Sequence, residues 1–176
     1  FKLKTQHSDH YNIFDDSFRE DKQEAINLIP LAGRIDRVKD SQDVILSIGD
    51  NNLRKKYFIY FEKQIIRNSL FHSTSFQEKD ITIGYSNQVF ANSYINSKVV
   101  IGKNNIINSG VTIEHETEIG SHNHISVGVI ICGKVTIGDS CFIGAGSVIK
   151  NQISICSNVI IGAGSVVINN INVAGT

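Results

Sequence analysis

The 176-residue sequence predicts a mainly β fold of stacked parallel coils, preceded by a smaller mixed α/β part. Two observations carry this. From Ile83 to Val173 every sixth residue is Ile or Val without exception. A short fixed period of this kind marks a solenoid, in which each unit buries its core only by stacking on the next. Charge is divided as well: of 34 charged residues, 26 precede residue 83 and 8 follow it.

The N-terminal part reads as alternating elements. Tyr11–Phe14 is a short apolar strand, and Ser17–Leu28 a polar helix. Asp43–Ile48 reads as a buried strand, broken by Gly49-Asp50-Asn51-Asn52, after which Leu53–Gln64 has helical spacing. A strand, a Gly-containing turn and a helix together place ligands at the carboxyl ends of parallel strands. Backbone N–H groups at such a helix start can hold a phosphate, with Arg54 supplying charge. By themselves one Gly and one Arg after a strand are more often ordinary turn and surface residues.

Residues 65–80 form a transition, with Ser69–Ser73 extended, and the repeat follows. In hexads such as Ile101–Ile106 and Ile143–Val148 an aliphatic leads, Gly often comes second, and a small or β-branched residue takes the fifth place. The leading aliphatics fill the core, while Gly and Asn accept the positive φ of tight corners. Three hexads make one triangular turn, so residues 18 apart stack on coils about 4.8 Å apart.

Lys+Arg and Asp+Glu balance at 17 each, so no overall field favours nucleic acid or an anionic membrane. No run of 18 apolar residues exists, and a cytoplasmic protein is expected. Cys132, Cys141 and Cys156 lack zinc spacing and read as small, partly buried thiols. With no Met and an ending on Gly175-Thr176, the sequence reads as part of a longer gene product.

One hexad departs from the nearly uncharged coil: Ile113-Glu114-His115-Glu116-Thr117-Glu118. A structural repeat does not require His115 between two carboxylates. Adding 18 to 115 gives Gly133, so a residue without a side chain lies one coil beyond His115.

The hexads resemble the left-handed parallel β-helix of hexapeptide-repeat acyltransferases. Val111–Glu116, Ile119–Gly128 and Cys132-Gly133 resemble, more narrowly, the family of sialic-acid O-acetyltransferases and bacterial amino-sugar N-acetyltransferases, including those of bacillosamine biosynthesis. Ile48–Lys56 is similar to that family's sugar-nucleotide loop. The resemblance implies a left-handed β-helix over 69–176, preceded over 1–68 by a small, incomplete Rossmann-like nucleotide-sugar-binding domain. It also implies acetyl transfer from acetyl-CoA to the amine of a nucleotide-linked 4-amino-4,6-dideoxy sugar, in a homotrimer with cofactor grooves between neighbouring coils.

Acetyl transfer needs a base, donors for the developing oxyanion, and a groove for coenzyme A. Histidine, with an ordinary pKa of about 6.5, serves as a base near neutrality and contributes roughly 10²–10⁴-fold. On the resemblance His115 is that base, Glu116 fixes its tautomer, and Gly133 offers an oxyanion N–H. His124 would contact the acetyl end of the cofactor, and Ala145 and Ala163 would line the pantetheine groove. Gly49, Asp50, Asn51 and Arg54 would hold the nucleotide sugar, with Asp15 and Asp16 as ribose or sugar contacts. No metal is expected. His122 reads as a surface residue, and His7, His10 and His72 receive no role. Three competing readings are O-acetylation of a sialic acid, a metal-dependent hydratase resembling γ-type carbonic anhydrases with His115, His122 and His124 as ligands, and a non-catalytic scaffold.

Overall fold

The computed structural model describes residues 13–14, 25–26, 29–33, 35–39 and 43–176. Compactness divides the described chain between Asp43 and Val44, whereas charge divides it at residue 83 and the family resemblance implied a boundary at 68/69. In the first unit, β1 (Ile13–Phe14) pairs parallel with β3 (Ile29–Gly33), and β2 (Ala25–Ile26) pairs antiparallel with it. Ala25–Ile26 is therefore strand where the helix through Leu28 was expected. The rest of that span, together with Asp15 and Asp16, lies outside the described residues.

The second unit contains the coil. Two-residue strands recur every six residues from Leu70–Phe71 to Val166–Val167 and fall into three parallel sheets, the walls of a triangular solenoid. The first wall includes Gln88–Val89, Ile106–Ile107, His124–Ile125 and Phe142–Ile143. The second includes Tyr94–Ile95, Thr112–Ile113 and Ile130–Ile131, and the third Val100–Ile101, Glu118–Ile119 and Thr136–Ile137. Partners such as Ile107 and Ile125, or Thr112 and Ile130, are 18 apart, as the three-hexad turn requires.

From Gln88–Val89 to Ile160–Ile161 the second residue of each strand is buried. Val89, Ile95, Ile107, Ile113, Ile125, Ile131 and Ile143 are all fully buried, each worth roughly 1.5–3 kcal/mol of apolar burial. The pattern fades at the last coil: Val173 is 79 % exposed, and the last pairings are isolated bridges of Ile171 and Gly175. A polar ladder runs beside the core. Asn87 Oδ1 accepts from the Asn105 backbone and side chain, Asn105 Oδ1 from the Asn123 N–H, and Asn123 Oδ1 from the Cys141 N–H.

The corners bear out the positive φ expected of Gly and Asn and extend it to other residues. Positive φ falls at Lys98, Asn104, Glu116, His122, Lys134 and Gln152 as readily as at Gly110 or Gly128. A non-Gly residue in this region costs about 1 kcal/mol or more. At all of these corners but Lys98 the N–H is held by a carbonyl of the preceding coil, as in Glu116 to Ser97 and Lys134 to His115, which offsets that cost. The second-place glycines answer a different need. A Cβ at Gly102 would lie 2.6 Å from the Gly120 oxygen, so stacking itself excludes a side chain.

The segment before the coil packs on the first wall. Asp43–Ile48 is not a strand; only Val44 makes a bridge, to Ile65. The Leu46 carbonyl instead accepts from the Gln88 side chain at 2.6 Å, so a coil side chain replaces a neighbouring strand. Helix α1 spans Asn51–Tyr60, starting two residues earlier than expected, because Asp50 caps it by accepting the Leu53 N–H at 2.7 Å.

Phe58 of α1 is buried and meets the His122 ring edge-on at 5.3 Å. His122, read from the sequence as a surface residue, is in fact 8 % exposed. Its Nδ1 lies 2.8 Å from Asn104 Nδ2, the residue 18 earlier, and therefore accepts from that amide. Burial and then the Lys55 charge push its pKa down to about 4. The unfolded chain, with an ordinary histidine, binds more protons between that value and about 6.5, so stability falls as pH drops through this window. The loss should reach about 3 kcal/mol by pH 4. Urea unfolding of wild type and His122→Phe at several pH values checks this; the variant should lose that part of the slope.

Candidate active site

The backbone turns at the corner between the second and third walls, presenting His115 and Glu116 outward, with side chains about half exposed. His115 Nδ1 lies 3.0 Å from Glu116 Oε2. An ionised carboxylate only accepts, so Nδ1 carries a proton, and in the neutral ring Nε2 is the lone pair. The His115 hydrogen bond holds the Glu116 carboxyl below the usual carboxylate range, and the charges of Lys134 and Lys98 add to this.

Lys134 is a residue that sequence reasoning missed. Its ammonium stands 3.7 Å from Glu116 Oε2. The signal was present, since 98, 116 and 134 are 18 apart and form one column with charges of alternating sign. Glu114 and Glu118 do not join the site. Glu114 accepts from the Asn96 side chain at 2.6 Å, and Glu118 is exposed on the third wall.

Gly133 lies where the stacking arithmetic puts it. A Cβ there would sit 2.7 Å from His115 Nε2 and 2.8 Å from Cε1, so the imidazole packs on the bare Cα. Gly133 is buried, and its N–H has no acceptor among the described residues. Gly133→Ala should push the ring off its place and lower turnover by about tenfold or more, with little change in the melting temperature. Steady-state kinetics alongside thermal unfolding checks this.

The other expected residues lie elsewhere on the coil. His124 is on the outer face of the first wall, and Ala145 and Ala163 are exposed, 18 apart, on the corner between the first and second walls. Within one chain, His115 and His124 therefore belong to different walls. The nine-residue spacing already contained this, since one and a half hexads cannot return to the same wall. Nor do His115, His122 and His124 converge: no three His, Cys, Asp or Glu side chains among the described residues gather as metal ligands.

The Gly49-Asp50-Asn51 loop meets the wall that carries His124. Gly49 O accepts from His124 Nδ1 at 3.0 Å, and the Asn51 amide donates to Cys141 O at 2.8 Å. Arg54, expected to offer charge to a phosphate, is 0 % exposed. It donates to Ile48 O, Gly49 O and Asn51 Oδ1 on its own segment, and to Asn104 O, His122 O and Asn123 O on the coil. Its donors are thus committed to holding the loop and α1 against the coil, which corrects the phosphate-binding expectation. Burial lowers its pKa to about 10, leaving it cationic at neutral pH.

Residues 116–151 match the bacterial transferase hexapeptide (six repeats) family. No curated protein matches the chain. Among solved structures it is similar to the acetyltransferase domain of PglB from Neisseria gonorrhoeae FA1090. Identity is 24 % and the TM-score 0.83, over 91 % of this chain and 79 % of that one. The same domain in complex with acetyl coenzyme A gives 24 % and 0.82, over 91 % and 78 %. PerB from Caulobacter crescentus, in complex with CoA and GDP-perosamine, gives 24 % and 0.77, over 84 % and 74 %. These likenesses establish the fold.

Proposed function

We propose that this hexapeptide-repeat chain transfers an acetyl group from acetyl-CoA to the amine of a nucleotide-linked 4-amino-4,6-dideoxy sugar. The observation that carries the reading is His115, held by Glu116 so that Nε2 keeps its lone pair, and packed on Gly133. The acceptor amine attacks the thioester carbonyl, and His115 Nε2 takes the proton that nitrogen sheds. The C–N bond forms, the C–S bond breaks, and the departing thiolate receives the proton as free coenzyme A. The Gly133 N–H donates to the transient oxyanion, a contribution of about 3 kcal/mol where such a donor is preorganised.

His124, Ala145 and Ala163 take the cofactor. Gly49, Asp50 and Asn51, with Asp15 and Asp16, take the nucleotide sugar within an incomplete Rossmann-like domain, and Arg54 supports that loop from beneath. Because His115 and His124 occupy different walls, the reaction centre is completed by a neighbouring copy. A homotrimer of left-handed coils supplies it, and the column Phe76, Tyr94, Thr112, Ile130, Val148 and Val166 on the second wall, apolar but for its threonine, suits contact between copies. The acetyl-CoA held by the Neisseria domain and the CoA and GDP-perosamine held by the Caulobacter enzyme support these ligand classes. Among the described residues no helix is long and apolar enough to cross a membrane; a cytoplasmic setting belongs to this reading.

The test is acetyl-CoA-dependent thiol release with a panel of amino-sugar nucleotides and free sialic acid, on protein whose trimeric mass is checked by light scattering. Turnover should require the amino-sugar nucleotide. Turnover with sialic acid alone would replace the reading with O-acetylation.

A further inference from the structure

We infer that Lys134 is a positioning residue for the proposed base: its ammonium draws the Glu116 carboxylate onto the coil that receives the His115 ring, and so keeps that ring in its Nδ1–H form. The catalytic consequence rests on the acetyltransferase reading; the placement of the carboxylate does not. The ring packs on the bare Cα of Gly133, one coil beyond His115. The next residue, Lys134, puts its ammonium 3.7 Å from Glu116 Oε2, the same oxygen that lies 3.0 Å from His115 Nδ1. Gly133 thus takes the imidazole and Lys134 the carboxylate. The backbone fixes this register, because the Lys134 N–H donates to the His115 carbonyl at 2.9 Å.

The residues at the corners point the same way. Asp80, Lys98, Glu116, Lys134 and Gln152 stack 18 apart, all with positive φ. In that region the backbone favours Gly and Asn, and the other two corner columns hold only Gly, Asn, Ser and His. Backbone demand therefore does not explain the run of alternating charge, which is confined to the corner that carries His115. Glu116 is a long side chain, about half exposed, and one hydrogen bond to His115 leaves it freedom to turn. The His115 bond holds its carboxyl below the usual carboxylate range, and the charge of Lys134 adds more to this than that of Lys98. The two lysines act from opposite sides, Lys98 one coil earlier and Lys134 one coil later, and only Lys134 stands on the side to which the ring leans. Without it the remaining cation pulls the carboxylate back toward the coil before, away from Nδ1. The neutral ring then drifts to the Nε2–H form that a free histidine side chain favours, and the nitrogen that must take a proton loses its lone pair.

Two measurements test this. Nitrogen-15 NMR of histidine-labelled protein, at a pH where the ring is neutral, should show His115 chiefly as Nδ1–H in wild type and moved toward Nε2–H in Lys134→Met. The same form in both proteins overturns the proposal. In acetyl transfer, Lys134→Met should lower kcat about two- to fivefold, the scale of one half-exposed ion pair, with KM for acetyl-CoA and the melting temperature unchanged. Lys134→Arg, which keeps the charge, should recover most of the loss. In a Glu116→Ala background Lys134→Met should cost nothing further, since no carboxylate remains to be placed. A full loss in that background, or no loss with Glu116 present, overturns the catalytic role. A wild type without turnover on any amino-sugar nucleotide overturns that role together with the acetyltransferase reading, while the NMR comparison still decides the placement of the carboxylate.

Discussion

His115→Ala is expected to lower kcat for acetyl transfer by about 10²–10⁴-fold, the contribution of a positioned general base. KM for acetyl-CoA should change little, because His124, Ala145 and Ala163 lie on another wall and its corner. The half-exposed ring adds little to the core, so thermal unfolding should be unaffected. Glu116→Gln is expected to cost less: its side-chain oxygen still accepts from His115 Nδ1, but the charge that steadies an imidazolium is gone. A His115→Ala enzyme within a few-fold of wild type would remove the base from the mechanism.

Arg54→Met should be the most destabilising single change at the junction of α1 and the coil. It preserves much of the volume and strips every donor from a buried guanidinium. The carbonyls of Asn104, His122 and Asn123 then lose a charged partner, at about 1–3 kcal/mol for each left unsatisfied. A total loss of about 3–5 kcal/mol is expected, read from urea unfolding midpoints. Amide exchange should accelerate through residues 51–60 before the coil itself opens. Arg54→Lys should not restore stability, since one ammonium cannot span carbonyls on two segments as the fork does. An unchanged midpoint in Arg54→Met would contradict the clamp.

The sequence by itself determined the coil and part of the chemistry. A six-residue period with three hexads to a turn dictates which residues stack, so Ile107 on Ile125 and His115 on Gly133 follow from arithmetic, because strand pairing repeats at constant spacing. The same arithmetic contains the separation of His115 from His124 and the column of Lys134 on Glu116, which were recognised only in the structure. Local chemistry also revealed the Asp50 turn and a helix after it.

What only the tertiary structure decided is how the segment before the coil meets it. Arg54 bonds to residues 50, 68 and 69 positions away, and no periodicity relates α1 to the wall it covers. An arginine beside a glycine turn looks the same in a sequence whether it faces a phosphate or is buried under carbonyls. His122 looked exposed for the same reason: its corner position is periodic, but the Phe58 ring that buries it comes from outside the repeat. Contacts within the repeat are set by translation along one axis and can be counted. Contacts between the repeat and α1 depend on docking geometry, which side-chain shape and hydrogen-bond satisfaction decide only once both partners have folded.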